Sequence, residues 1–354
     1  MLDYSICAIV KNESKNIKRF LDALNVFDCE KIILDTGSTD DTIEIANRYD
    51  CKVFNFTWIN DFSAARNYAS SLASHDWVLF LDCDEFVDET ETSPSTFLTI
   101  AKQLPNGIGL LERVNLVNPD NAKGAYIDRV PRFYDKRLFE YNGKIHEQVV
   151  SKDNSPLEGF YIPLRVMHTG YLGTKKEKEN KHLRNLTMLQ NSLKDNPTDR
   201  YYNFQLGQEY YNTYQYETAL QYFKVTVSDK LNPDSEYHRL ALMGYSDCLL
   251  HSGRKKEAFD FINSYESDFA NCPDYFYLRG LISFECNDYL HAMADFVSAT
   301  SLSNPHKEGT NTYLPWFYIA QINEIFGNNE QALFFYNKCS ELEVASKRIK
   351  ELTS

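Results

Sequence analysis

Along the first half of the chain, short apolar runs alternate with stretches whose apolar residues recur every three or four positions. Tyr4–Val10, Lys31–Asp35, Lys52–Phe56 and Trp77–Leu81 have the length and composition of strands. Between the first two, Ile17, Phe20, Leu21 and Leu24 share one face of a helix. After the second, Ser38 with Asp41 three residues on resembles a capping box. Thr42, Ile45, Ala46 and Tyr49 then repeat the helical spacing. Strand, helix, strand, helix predicts crossover units and a largely parallel sheet. Trp77–Leu81 is apolar throughout, as a strand covered on both faces must be, and it ends abruptly in Asp82, Asp84 and Glu85. A later strand is expected to contain Tyr161–Val166.

From about residue 198 the strand pattern stops. A small residue, then an alanine, then an aromatic or aliphatic recur at fixed offsets: Gly207, Ala219 and Phe223; Gly280, Ala292 and Phe296; Ala320, Ala332 and Tyr336. Ser246, Ala258 and Ile262 form a weaker copy, and Ala258 to Ala292 spans 34 positions, the tetratricopeptide period. Trp316-x-x-Ile319-Ala320 approximates the opening of that repeat and Leu206-Gly207-x-x-Tyr210 its middle. Small residues let paired helices approach while aromatics fill the layer between pairs, so an all-α helical-repeat domain is predicted. Between the halves, Gly173–Arg184 is rich in Lys and Glu and poor in apolar residues. A hinge, an exposed helix and a mobile active-site loop all fit it.

The 354 residues suffice for two domains with their own cores, and 43% hydrophobic with 25% charged residues is ordinary for a globular chain. A net charge of -13, without a long Lys/Arg block, argues against a nucleic-acid partner. The eight cysteines are scattered singly with no C-x-x-C pair, which speaks against zinc and for a reducing cytosol. No signal-peptide pattern and no transmembrane-length apolar run is visible, so a cytoplasmic protein without a transmembrane segment is expected.

In a parallel sheet the loops after successive strands emerge on one edge, so Glu13, Asp35 and Asp82 are expected to converge there. Placing Asp82 and Asp84 together costs like-charge repulsion and desolvation, which a divalent cation removes. Carboxylates, waters and phosphate oxygens suit a hard ion, Mg²⁺ or Mn²⁺. The plainer reading is a strand ending in a solvated acidic turn. Asp35 is placed to accept hydrogen bonds from a base or ribose, and Gly37 to permit a positive φ or a close ligand approach. Thr36–Asp40 equally reads as a turn that caps the next helix.

Four motifs in order, Ile9-Val10-Lys11-Asn12-Glu13, Asp35-Thr36-Gly37-Ser38-Thr39-Asp40, Asp61-Phe62-Ser63-Ala64-Ala65-Arg66-Asn67 and Asp82-Cys83-Asp84-Glu85, resemble glycosyltransferase family 2. The likeness is to the bacterial branch with a GT-A catalytic domain followed by tetratricopeptide-like helices. It implies an α/β GT-A (Rossmann-like) nucleotide-sugar domain over 1–172, a linker or active-site loop with a connecting helix over 173–197, and a helical-repeat domain over 198–354. It also implies a nucleotide-sugar donor, most often a UDP-sugar, a divalent metal, and inversion at the anomeric carbon. Carried over, Val10 and Glu13 line the nucleoside pocket with Gly37 and Ser38 beside it, Asp35 meets the base, and Arg66 helps hold the nucleotide. Asp82 faces the ribose and metal, and Asp84 ligates the metal.

Further on, Pro131-Arg132 and His146-Glu147 match pairs found in many relatives. Inverting transfer needs a base on the acceptor side, a role assigned to Glu147 with His146 as neighbour or substitute and Glu85 as competitor. Arg132 suits phosphate oxygens in a fork. His168 matches a late histidine that completes the metal site in such enzymes. Lys181 and Arg184 would reach the diphosphate if the preceding loop closes over the donor, or else form the solvated face of a helix. The acceptor is expected to be a peptide or protein, since repeat helices stack into concave surfaces and some relatives glycosylate bacteriocin peptides on cysteine. A cell-envelope polysaccharide or lipopolysaccharide acceptor is the alternative, and a non-catalytic repeat scaffold the third reading. The repeats would bind acceptor, shield the site, or join two chains as a homodimer.

Overall fold

The computed structural model describes residues 2–116, 126–170, 172–233, 235–303, 305 and 307–353, with only the backbone of Tyr126. The chain forms two compact units, Met1–Met188 and Leu189–Ser354. The boundary lies within a long helix.

In the first unit, β1 (Tyr4–Val10), α1 (Ile17–Ala23), β2 (Glu30–Asp35), α2 (Thr42–Ala46), β3 (Lys52–Asn55), α3 (Phe62–Leu72) and β4 (Trp77–Phe80) follow in order. Then come β5 (Glu85–Val87), α4 (Phe97–Ala101), β6 (Gly107–Asn115), β7 (Tyr126–Asp135), β8 (Phe139–Asn142), β9 (Gln148–Ser151) and β10 (Glu158–His168). Among the described residues they build an eight-stranded sheet, β3-β2-β1-β4-β7-β6-β10-β5, and a β8-β9 hairpin.

The sheet departs from the predicted, largely parallel one. β3, β2, β1 and β4 run parallel, but β7 enters antiparallel between β4 and β6, and β5 pairs antiparallel with β10. Alternate residues explain the unbroken apolar runs. Tyr4, Ile6, Ala8, Val10, Ile33 and Leu79 join α1 and α4 in one core, while Cys7, Ile32, Leu34, Val78 and Phe80 meet Ala65 and Ala69 of α3 in another. The capping box at Ser38 does not form. The Ser38 hydroxyl accepts from the Asn12 amide, and the Thr42 amide is capped by Asp40 instead.

The linking helix α5 (Lys175–Asp195) opens with a true capping box, in which Thr174 and Glu177 exchange hydrogen bonds. Residues 175–184 are therefore an exposed helix, mostly open to solvent.

The second unit pairs α6 (Arg200–Tyr211) with α7 (Tyr216–Thr226), α8 (Glu236–His251) with α9 (Lys255–Asn263), α10 (Pro273–Glu285) with α11 (Tyr289–Ser301), and α12 (Tyr313–Ile325) with α13 (Asn329–Lys338), followed by α14 (Glu343–Thr353). The small residues are where close approach demands them. A Cβ on Gly207 would stand 2.6 Å from the Phe223 ring, and one on Gly244 2.8 Å from the same ring. Phe223 thus fills the space left by two glycines on successive repeats. Gly280 does the same for Phe296. Among the described residues no helix is long and apolar enough to cross a membrane.

Candidate active site

β4 delivers Asp82 and Asp84 to the carboxyl edge of the sheet, where they part company. Both oxygens of Asp82 are taken by arginines: Arg66 Nη2 donates to Oδ1 at 2.7 Å and Arg132 Nη2 to Oδ2 at 2.6 Å. Burial opposes charge on Asp82, but Arg132 and Arg66 outweigh it and hold its carboxyl well below the usual carboxylate range. Asp82, expected to face the ribose and metal, is held between the two arginines.

Glu85, the competing base, is corrected. As the first residue of β5 it points inward, 0% exposed, and ion-pairs with Arg132 at 3.1 Å and Arg113 at 3.5 Å. A carboxylate closed off in this way does not face an acceptor. Arg113 in turn grips Asp128. An alternating row of charges results: Glu147, Arg66, Asp82, Arg132, Glu85, Arg113, Asp128.

Asp84 looks the other way. Its backbone carbonyl accepts from the Thr169 amide at 3.0 Å, and β5 pairs with β10 so that His168 lies opposite Glu85. His168 Nε2 consequently stands 3.4 Å from Asp84 Oδ2. On the far side of the ring, Nδ1 lies 2.8 Å from the side-chain oxygen of Asn115, its register partner on β6. An amide oxygen only accepts, so Nδ1 carries a proton, and in the neutral ring the lone pair sits on Nε2, toward the carboxylate. With the ring neutral, a carboxylate oxygen and a nitrogen lone pair face each other, an arrangement that suits a cation. Gly170 closes the cradle, since a Cβ there would fall 2.5 Å from Nε2 and 2.6 Å from Oδ2.

No third His, Cys, Asp or Glu joins the pair among the described residues. An ion that keeps several waters and borrows substrate phosphate oxygens needs no more from the protein, so the residues fit Mg²⁺ or Mn²⁺. Glu13 lies in the same acidic field. Burial pushes its carboxyl up; Asn16 opposes this, while Asp84, Asp40 and Asp82 add to it.

Glu147 and His146 occupy the β8–β9 turn, with His146 at φ +51°. Helix α3 holds that turn in place. Asp61 caps α3 by accepting from the Ala64 amide, and the Phe62 amide donates to the Lys144 carbonyl. The Asn67 side chain pairs with both backbone groups of Tyr141 as a neighbouring strand would. This clamp brings Glu147 Oε1 to 2.6 Å from Arg66 Nε. Arg66 thus spans Glu147 and Asp82, packed 5.1 Å from the Tyr141 ring. Arg66 Nη1 and Arg132 Nε are buried and have no hydrogen-bond partner among the described residues.

The loops after β1 and β2 are laced together by Asn12, Ser38, Thr39 and Asp40. Val10 is buried and its carbonyl accepts from Thr36. Asp35 accepts from the amides of Gly37 and Ser38, and Gly37 takes φ +102° with nothing near its missing Cβ. The glycine there serves the turn. Lys181 and Arg184 sit on exposed turns of α5, with the Arg184 guanidinium 5.4 Å from the Phe62 ring, one helical turn from Arg66. Asn115, Gly170 and Arg113 escaped the sequence reading, because each acts through at least one partner well removed along the chain, and Asn67 was quoted in a motif without a role.

Residues 5–96 match the family model described as Glycosyl transferase family 2. The N-terminal unit carries a domain of that family. The chain is 27% identical over 287 residues to the SPbeta prophage-derived glycosyltransferase SunS of Bacillus subtilis, covering 77% of this chain and 65% of that relative. It thus spans just under two thirds of the relative's length. It is also 30% identical over 216 residues to a TPR repeat-containing protein of Synechococcus elongatus, covering 58% of this chain and 52% of that protein. A crystal structure of MamA aligns with 52% of this chain and 98% of its own, at 16% identity and a TM-score of 0.40.

Proposed function

We propose that this chain is an inverting, metal-dependent glycosyltransferase that moves a sugar from a nucleotide-sugar donor, a UDP-sugar, to a peptide or protein acceptor. The observation that carries the reading is Asp84 and His168 facing each other at 3.4 Å at the sheet's carboxyl edge, in the cradle that Gly170 leaves open. Catalytic work falls to residues 1–172 and acceptor capture to the repeats of 198–354.

Val10, Glu13, Asp35, Gly37 and Ser38 border the nucleoside. Asp84 and His168 hold Mn²⁺ or Mg²⁺, which supplies charge neutralisation to the departing diphosphate. The spare N–H groups of Arg66 and Arg132 are buried donors in want of an acceptor, a need that phosphate oxygens meet. Lys181 and Arg184 add positive charge from α5. Glu147 takes the proton of the attacking hydroxyl or thiol, with His146 adjacent, and Arg66 fixes its orientation.

The test feeds purified chain with UDP-sugars and Mn²⁺ against peptide and oligosaccharide acceptors. A hexose-sized mass increase on peptide that vanishes with Asp84→Ala supports the reading. Extension of oligosaccharide alone moves the acceptor to a glycan, and no turnover of any nucleotide sugar removes the enzyme assignment.

A further inference from the structure

Asn115 ends β6 fully buried, and neither its type nor its spacing singles it out. The register brings it to His168: β6 and β10 run parallel there with Asn115 opposite His168, and β5 lies on the other side of β10. Its amide oxygen, 2.8 Å from Nδ1, admits one tautomer of the neutral ring, with the proton on Nδ1 and the lone pair of Nε2 toward Asp84. The strand pairing fixes the ring's position and the amide fixes its proton.

We propose that Asn115 is a positioning residue that locks His168 as a nitrogen ligand and thereby makes the site favour Mn²⁺ over Mg²⁺. The inference rests on the reading of Asp84 and His168 as metal ligands. Its chemistry follows from ligand preference. Mg²⁺, small and reluctant to give up water, is served by oxygen from Asp84, water and phosphate, whereas the larger and softer Mn²⁺ takes a fixed imidazole nitrogen more readily than Mg²⁺ does. Without the acceptor at Nδ1, the ring is free to carry its proton on Nε2 and turn a donor toward the cation. Removing such an outer partner costs about 10- to 100-fold in metal affinity.

The experiment uses the full chain with UDP. Mn²⁺ binding is read from the free-ion electron paramagnetic resonance signal, and Mg²⁺ binding by competition. Asn115→Leu is expected to weaken Mn²⁺ about 10- to 100-fold while Mg²⁺ changes less than about threefold. Asn115→Asp, which keeps the acceptor, holds Mn²⁺ affinity within about threefold of native or tighter. In a His168→Ala background, Asn115→Leu has no further effect on Mn²⁺.

Equal weakening of both ions, or an undiminished effect of Asn115→Leu without His168, overturns the proposal by showing a merely structural residue. Native-like Mn²⁺ binding by Asn115→Leu overturns it as well. If the native chain with UDP binds neither ion, the metal-site reading itself falls, an outcome distinct from the others. Asn115→Ala is read in the same way, so a folding failure of the leucine variant leaves the comparison standing. Melting temperatures without metal confirm the fold of each variant.

Discussion

The two aspartates of one motif are predicted to fail in opposite ways. Asp82→Asn removes the charge between Arg66 and Arg132, whose contacts at 2.7 and 2.6 Å lie in a largely buried row. Stripping one partner from a buried ion pair costs about 3–5 kcal/mol. In a unit spanning Met1–Met188, each kcal/mol moves the melting temperature by about 2–4 °C, so a drop of about 6–20 °C is expected. Asp84→Asn leaves that row intact and keeps the backbone bond to Thr169, so its cost stays within about 0.5 kcal/mol. Its loss is in metal-dependent turnover instead.

The pH dependence has a definite sign. Asp82 is held below its unfolded value, so its contribution is full above about pH 4 and is lost as pH falls further. Calorimetry at pH 7 and pH 3 should show the gap between native and Asp82→Asn narrowing in acid. Equal melting of Asp82→Asn and Asp84→Asn at pH 7 would refute the reasoning.

Three further outcomes are expected. Glu147→Gln lowers kcat by about 10²- to 10⁴-fold with UDP affinity unchanged by calorimetric titration, and an unaltered kcat removes Glu147 as base. Gly170→Ala drives a methyl between His168 and Asp84, so Mn²⁺ binding with UDP weakens at least about tenfold, and native affinity contradicts the cradle. At the opposite sheet edge burial would raise the Glu30 carboxyl, but hydrogen bonds from Lys52, Ser5 and Ser74 hold it at about 2. That stability is present above the unfolded value of 4.5 and lost as pH falls toward 2, so Glu30→Gln should destabilise at pH 7 and not near pH 2 in urea titrations.

β1, β2, β3 and β4 were legible because their residues are apolar where the sheet is covered, and the repeat helices because Gly207, Gly280 and the alanines sit where helices touch. β6 and β7 were hidden by Glu112, Arg113, Asp128, Arg129 and Arg132, charges that read as surface until their cross-strand pairing is known. Asp84 stands out through a local motif. The arginines that occupy Asp82 come from positions 66 and 132, and only the fold reveals that they neutralise it. Glu85 misled because the short strand it opens is buried along its whole length, which its acidic neighbours do not reveal. Asn115 has meaning only through register.

The account turns on a cation held by Asp84 and His168 against a nucleoside diphosphate. Calorimetric titration of UDP into the native chain and into Asp84→Ala, each with Mn²⁺ and with a chelator, tests it most directly. The account predicts tight binding only for the native chain with Mn²⁺. UDP binding of equal strength in all four titrations would contradict it.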